Sequence, residues 1–309
     1  MPYLTGARAG TSKAGVRTGF GVPGLAHPLV APGEWAGLAH PGTPLHWVVL
    51  NVADGPGTRP DPQCLEAAGR LRNAGTRVLG HLDTAFGTRP FGELASEAHR
   101  YADWYRVDGF LLDRCPSGQT ELAGIHRTVA MLRAVRDHAH IVLGHGIHPH
   151  PGYAETADQL VTFSGPWSDY RWSQAAAWTT GHPPERFCHL VHGVPRRHLD
   201  EALRIARRQG AATIYFTDRT DRGTRADGSD GDGIDGYMGH TGRTGHTGPM
   251  GHVGPVGRVG PVGHVGPVGH VGPVGRVGPM GHVGHTTPWE TMPGYWDDIV
   301  SRIGTGVSE

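Results

Sequence analysis

The chain has 309 residues and a mass of 32.9 kDa, with 28 basic and 28 acidic side chains. This balance, with a pI near 7.4, argues against a basic nucleic-acid surface, and no run of about 18 apolar residues suits a membrane span. The first 18 residues lack the apolar core of a secretory signal, and three scattered cysteines give no disulfide framework. We therefore expect a cytoplasmic protein without nucleic-acid or membrane partners, with export by another route left open.

Glycine and proline are concentrated in one part of the chain. Between Asp227 and Thr286 lie 20 of the 50 glycines and 6 of the 25 prolines. Without those 60 residues the chain has 249, the length of one barrel-type α/β domain at about 250 residues. The expected divisions are a flexible N-terminus (1–18), a barrel (19–226), a low-complexity insertion (227–286), and a last barrel helix with the C-terminus (287–309).

Eight short apolar segments have the pattern of buried β-strands. They contain β-branched and aromatic residues and are bounded by Gly, Pro or Asp. In chain order they are residues 19–25, 46–52, 76–84, 107–113, 140–145, 159–164, 186–193 and 212–217.

Helical periodicity appears between these strands. The clearest case is Thr120 to Ala139, where apolar residues recur at steps of three and four. Similar patterns cover residues 62–73, 93–105, 196–209 and 289–303. Eight buried strands that alternate with helices predict an α/β fold with a parallel sheet closed as a (β/α)8 TIM-like barrel. An open doubly wound sheet is the alternative, although no GxGxxG turn follows the first strand.

The glycine-rich insertion has a strict period of three. From Gly233 to Gly284 glycine occupies every third position, eighteen times, which is typical of a collagen-type triple helix. An extended run of this length would span on the order of 160 Å, whereas both of its ends must return to one barrel. We therefore predict a disordered polar loop after the eighth strand, with weak self-association through the repeat, and keep a three-chain assembly as the alternative.

Polar residues stand at the predicted carboxyl ends of the strands, where barrel enzymes carry their reactive groups. These residues are Asn51, His81, Asp83, Asp113, Arg114, His145, Ser164, His192 and Asp218. His81 and Asp83 are two apart on one strand, so both should project from the same face. We predict Asp113 and Asp83 as catalytic carboxylates, and we expect no cofactor and no metal.

Several motifs resemble those of spherulation-specific family 4, the spherulin-4-like proteins. The motifs are LNVADGPGTRPDP (50–62), RVLGHLDTAFGTRP (77–90), YRVDGFLLDRCPS (105–117), FSGPWSDY (163–170), RFCHLVHGVP (186–195) and PWETMPGYWDD (288–298). The resemblance covers the chain outside the repeat. It implies a barrel related to glycoside hydrolases that acts on amino-sugar-containing polysaccharide.

The chain departs from the pattern of this family at two acidic positions. Arg114 stands where the family has a Glu after Asp113, and Ser164 stands where a second Glu is expected. Glycoside hydrolysis ordinarily needs one carboxylic acid and one carboxylate, so hydrolysis is expected to be altered or lost. Arg114 is also expected to lower the pKa of Asp113, which opposes a general-acid role.

Three functions stay open on the sequence alone. The first is a glycoside hydrolase that uses Asp113 with Asp83. The second is a non-catalytic carbohydrate-binding or scaffold protein with a collagen-like arm. The third is a metal-assisted hydrolase built on the histidines and acids at the strand ends. In the first two, the expected carbohydrate-binding residues are Asn51, His81, Arg114, Ser164, Trp167, His192 and Asp218.

Overall fold

A computed structural model of the protein describes residues 17–220 and 287–304. Eight parallel strands form a closed barrel in which each strand pairs with the next and β8 pairs with β1. The strands are β1 (Gly19–Val22), β2 (Leu45–Leu50), β3 (Arg77–Asp83), β4 (Gly109–Asp113), β5 (His140–Gly144), β6 (Gln159–Pro166), β7 (Phe187–His192) and β8 (Thr213–Phe216). The predicted (β/α)8 barrel is confirmed, and the open sheet is excluded.

Seven α-helices lie in the described residues: α1 (Pro32–Leu38), α2 (Pro62–Asn73), α3 (Phe91–Arg100), α4 (Leu122–Val135), α5 (Trp167–Tyr170), α6 (Leu199–Arg208) and α7 (Trp296–Gly304). Two connections depart from regular alternation. The fully described link from β5 to β6 contains a short 3-10 turn in place of an α-helix, and α5 has only four residues.

The predicted helix over 289–303 is wrong for residues 289–295, because α7 begins only at Trp296. Pro293 has no N–H to continue a helical ladder. The backbone N–H of Gly294 instead donates to the carboxylate of Asp218, at 3.0 Å. This contact fixes the segment after the repeat to the end of β8.

The strand register shows which side chains fill the barrel. The indole N–H of Trp47 on β2 donates to the amide oxygen of Gln159 on β6, at 2.6 Å, and Gln159 donates to the Thr213 hydroxyl on β8. These bonds join non-adjacent strands, so the three side chains meet inside the cylinder. Because side chains alternate along a strand, every second residue from these points also faces inward.

The segment 287–304 is part of the barrel. Tyr295 and Ile299 are buried in the same cluster as Phe20 of β1 and Leu199 of α6, and the Tyr295 hydroxyl donates to the carbonyl of Val194. All described residues belong to one compact unit. The predicted N-terminus, apart from residues 17 and 18, and the predicted insertion (227–286) lie outside the described residues. No helix of the described part is long and apolar enough to cross a membrane.

Candidate functional site at the barrel mouth

The carboxyl ends of the strands bring several predicted site residues to one mouth. Asp83 pairs with Asp113 in the register of β3 and β4, and His81 pairs with Leu111. Residues paired across parallel strands project to the same side. Counting in steps of two from Trp47 and Thr213 and following the strand register, the inward set at the carboxyl ends comprises Asn51, His81, Asp83, Asp113, His192 and Tyr215. A register irregularity between Val161 and Phe163 shifts the count on β6, and Ser164 also faces inward because it pairs with Leu190.

Arg114 binds Asp83 rather than projecting freely into the mouth. Its Nε donates to Oδ1 of Asp83 at 2.8 Å, and its Nη2 binds Oδ2 of the same carboxylate. Such a two-pronged contact uses the planar fork of the guanidinium and holds both partners in one geometry. The backbone N–H of Ala85 donates a further hydrogen bond to Asp83, at 2.8 Å.

These contacts set the protonation state of Asp83. Partial burial raises the pKa of this carboxyl group. The hydrogen bonds from Arg114 and Ala85 and the charge of Arg114 lower it by more than burial raises it, so the net pKa is below the usual range. Asp83 is therefore a carboxylate at neutral pH. A group with this property is a poor proton donor to a leaving oxygen.

Asp113 is the more accessible of the two acids. Its side chain is 47% exposed, compared with 28% for Asp83. One oxygen accepts a hydrogen bond from the backbone N–H of Arg114 at 2.8 Å, and the other lies 3.4 Å from Nε2 of His81. A Cβ at Gly144 would lie only 3.1 Å from the carboxylate, so glycine on the neighbouring strand provides its space.

Asn51 and Ser164 occupy the rims of β2 and β6. The side-chain oxygen of Asn51 accepts the N–H of Gly55 at 2.8 Å, which fixes the turn that follows β2. The backbone of Ser164 pairs with that of Gly146, and Ser164 is aligned with Leu190 of β7. Ser164 thus stands at the mouth with a hydroxyl where the family pattern has a carboxylate.

Trp167 and Asp218, which are predicted to bind carbohydrate, make contacts within the protein instead. Trp167 is the first residue of the short helix α5 and is 6% exposed. Its ring packs against the rings of Tyr170 and His198. Asp218 accepts the N–H of Gly294 and lies 3.9 Å from Arg219. We therefore leave Trp167 out of the mouth and assign Asp218 a tethering contact.

A tryptophan that the sequence analysis does not single out lies at the mouth. The partly buried ring of Trp289 meets His192 edge-on at 5.7 Å between centroids, and it meets Tyr215 at 6.0 Å. Both partners face inward on β7 and β8. Trp289 opens the motif PWETMPGYWDD, but nothing in that motif shows that chain beyond the repeat folds back to the mouth.

The loops after β3 and β4 have an unusual backbone at the rim. Ala85, Phe86 and Arg114 have positive φ angles of 46°, 56° and 47°, which side chains with a Cβ rarely adopt. The guanidinium of Arg114 lies 5.7 Å from the centre of the exposed Phe86 ring. Hydrogen bonds from Phe86 and Thr84 to the carbonyl of Arg114 hold this conformation. The cation is therefore fixed by its backbone as well as by Asp83.

Potential metal ligands converge at one place in the described part of the chain. In residues 17–220 and 287–304, the ligand atoms of His27, Asp61 and Cys64 lie within 4.8 Å of one another. Nδ1 of His27 accepts the N–H of Leu29, so Nε2 carries the proton and donates to Asp61. Burial raises the pKa of the Cys64 thiol to about 12.

Two further side chains near the mouth, those of His145 and Cys115, are uncharged at neutral pH. Burial lowers the pKa of His145 to about 4, so its ring is neutral at pH 7. Burial also raises the pKa of the Cys115 thiol, and its Sγ donates to the carbonyl of Leu112. A thiol kept protonated in this way is a weak nucleophile.

The fold and the mouth define a class: a (β/α)8 barrel with polar side chains at the carboxyl ends of its strands. The sequence model of spherulation-specific family 4 matches residues 22–229, and the chain belongs to that family. A second model, the collagen triple helix repeat, matches residues 226–288.

Individual relatives are distant. Spherulin-4 of Physarum polycephalum is 23% identical over 137 residues, which span 44% of this chain and 41% of that protein. The structure of Aspergillus clavatus Sph3 in complex with GalNAc has a TM-score of 0.58 at 24% identity, covering 66% of this chain and 90% of that one. A chitinase from Rhizomucor miehei has a TM-score of 0.41 at 13% identity, with 56% and 87% coverage. The likeness to Sph3 supports the barrel fold.

Proposed function

We propose that the barrel mouth binds an amino-sugar-containing polysaccharide without cleaving it at the rate of a glycosidase. The observation that carries this proposal is the two-pronged ion pair between Arg114 and Asp83. Because the pKa of Asp83 is lowered, the acid that could partner Asp113 is held as a carboxylate. With Ser164 at the second acidic position, the inward set holds two acidic side chains, and Arg114 occupies one of them.

The remaining groups suit a neutral, hydroxyl-rich ligand. The side chain of Asp113 is half-exposed, and the ring of His81 lies beside it. A sugar hydroxyl can therefore donate a hydrogen bond to Asp113 and lie against the ring of His81. Family membership supports a carbohydrate, and the complex of Sph3 with GalNAc suggests N-acetylgalactosamine as the first sugar to test. Binding here requires only hydrogen bonds and contact area.

The first prediction concerns Asp113. We expect the full chain to bind a polysaccharide containing N-acetylgalactosamine, and we expect Asp113→Asn to weaken binding about tenfold, because a hydrogen bond to a charged acceptor becomes a neutral one. Isothermal titration calorimetry gives the affinity, and a reducing-end assay on the same samples reports cleavage.

Asp137→Asn is the matched control for this prediction. It makes the same chemical change at a side chain that is 90% exposed, in the connection between α4 and β5 at the opposite end of the barrel. Equal affinities for the wild-type chain and Asp113→Asn would remove the mouth as the binding site. No binding by the wild-type chain would remove the function altogether.

Hydrolysis is the second candidate, and the register of Asp83 with Asp113 favours it. Two carboxylates on neighbouring strands at one mouth are the minimum that a glycosidase requires. Release of reducing ends by the wild-type chain, abolished in Asp113→Asn, would establish this candidate and contradict binding without cleavage.

A further inference from the structure

Trp289 is held at the mouth by backbone contacts of the residues that follow it in the chain. The carbonyl of Glu290 accepts the N–H of Ala26 at 2.8 Å, in the loop that follows β1. The N–H of Met292 donates to the carboxylate of Glu34 at 2.9 Å. These bonds fix the backbone around Trp289, so its partly buried ring has a defined place above β7 and β8.

Next to this ring lies the buried side chain of Tyr215, whose hydroxyl lacks a hydrogen-bond partner in the described residues. Tyr215 is 0% exposed and faces inward on β8, and within the described residues its hydroxyl has no hydrogen-bond partner. A buried hydroxyl without a partner destabilises a protein, which makes such a group a candidate for contact with a ligand. Burial, with the charges of Glu34 and Asp218, raises the pKa of Tyr215, so the hydroxyl stays protonated and can donate.

The two side chains complement each other as parts of one sugar subsite. An indole ring offers a flat apolar surface for the C–H face of a pyranose ring, and a buried phenol offers one directed donor. The ring centroids of Trp289 and Tyr215 are 6.0 Å apart, which is within the width of one monosaccharide. Other tryptophans are placed differently. Trp47 is fully buried inside the barrel, and Trp167 is buried in the cluster that includes Tyr170 and Leu199.

Resting on the function proposed above, we infer that Trp289 and Tyr215 form a sugar subsite in which the indole stacks on a pyranose ring and the Tyr215 hydroxyl donates to one of its oxygens. The subsite lies across the mouth from Asp113, over β7 and β8. It places a binding residue on chain that follows the repeat, so the ligand contacts both parts of the barrel that the repeat separates.

The test uses the full-length chain and an N-acetylgalactosamine oligosaccharide followed by calorimetry. Trp289→Ala is expected to weaken binding about tenfold through lost ring contact, while Trp289→Phe retains most of the affinity. Tyr215→Phe is expected to weaken binding about fivefold. It should leave the thermal midpoint unchanged or raise it, because the buried hydroxyl makes no hydrogen bond in the ligand-free protein.

Two matched controls separate a binding role from a structural one. Trp104→Phe alters another partly buried indole, beside Arg100 at the far end of the barrel, and should not change affinity. Tyr170→Phe removes a buried hydroxyl that bonds His189 at 2.8 Å, so it should lower the thermal midpoint and spare binding.

The outcomes distinguish this subsite from the function on which it rests. If Asp113→Asn weakens binding while Trp289→Ala and Tyr215→Phe bind as the wild type does, the subsite is wrong and the proposed function stands. If Tyr215→Phe lowers the thermal midpoint and keeps full affinity, its hydroxyl has a structural role and the subsite is also wrong. If the wild-type chain does not bind, both proposals are overturned.

Discussion

Arg114 combines an unfavourable backbone conformation with a strong side-chain contact. Its φ of 47° directs the side chain along the rim, and the guanidinium meets both oxygens of Asp83. The sequence places an arginine beside Asp113, where it is expected to lower the pKa of that acid. The sequence does not indicate that the guanidinium binds Asp83, because that contact depends on the left-handed backbone and on the pairing of β3 with β4. The side-chain hydrogen bond and the charge of Arg114 consequently lower the pKa of Asp83.

A second prediction follows for the titration of Asp83. Arg114→Gln removes the positive charge, so the pKa of Asp83 should rise relative to the wild-type chain. Because the folded pKa in the wild type is lowered, the pair stabilises the protein above the unfolded pKa, and this contribution is lost as the pH falls through the folded pKa. The variant should therefore lose stability at pH 7, by about 1 kcal/mol or less since the pair is partly exposed.

Carbon-detected NMR titration of the Asp83 carboxyl group measures this change directly. Arg70→Gln serves as the control, because Arg70 pairs with Glu66 on the exposed side of α2. An unchanged pKa of Asp83 in Arg114→Gln would show that the ion pair does not govern its protonation, and the argument against a general acid would fail.

At the scale of elements, the strands could be predicted and the last helix only in part. Buried parallel strands have continuous apolar sequences, so β2 and β4 stand out without any knowledge of their neighbours. The helical periodicity of residues 289–303 also includes Trp289, which in fact contacts His192 and Tyr215 at the mouth. That contact joins residues far apart in the chain, and no local pattern predicts it. Trp289 is therefore the site residue that sequence reasoning could not place.

A third prediction tests the packing of the elements with a pair of glycines. At Gly109, where β4 meets β5, a Cβ would lie 2.0 Å from the backbone oxygen of His140. Gly109→Ala should destabilise the barrel by about 3 kcal/mol, since backbone cannot move aside as a side chain can. At Gly69, in the middle of α2, a Cβ meets nothing within 4 Å. Gly69→Ala should stabilise by about 1 kcal/mol through its helix propensity.

Urea unfolding of both glycine variants provides the free energies. Equal effects at the two positions would mean that the close approach of β4 to β5 is absent in solution. Stabilisation by Gly109→Ala would contradict the strand register.

At the scale of the molecule, residues that precede the repeat and residues that follow it pack together in the barrel domain. Tyr295 and Ile299 complete the cluster formed by β1, β8 and α6, and Gly294 binds Asp218 just beyond β8. Thr220 and Thr287 flank residues 221–286, and each is only two residues from a contact at the barrel mouth. The barrel fold therefore needs residues 287–304.

A fourth prediction tests this requirement. Replacing residues 221–286 with a linker of about 12 Gly and Ser residues, which reaches about 40 Å when extended, should preserve a cooperative thermal transition near that of the full chain. A chain that ends at Thr220 should lose the cooperative transition, because Phe20 and Leu199 lose their apolar partners. Differential scanning calorimetry compares the two. A truncated chain with the full-length midpoint would contradict the assignment of α7 to the barrel.

We propose above all that the mouth holds an amino sugar and leaves its glycosidic bond intact. A crystal structure of the full chain soaked with an N-acetylgalactosamine oligosaccharide tests this proposal most directly. We expect an uncleaved oligosaccharide between Asp113 and Trp289, with the ion pair of Arg114 and Asp83 unbroken. Cleaved product in the mouth, or a ligand bound anywhere other than the carboxyl ends of the strands, would contradict the proposal.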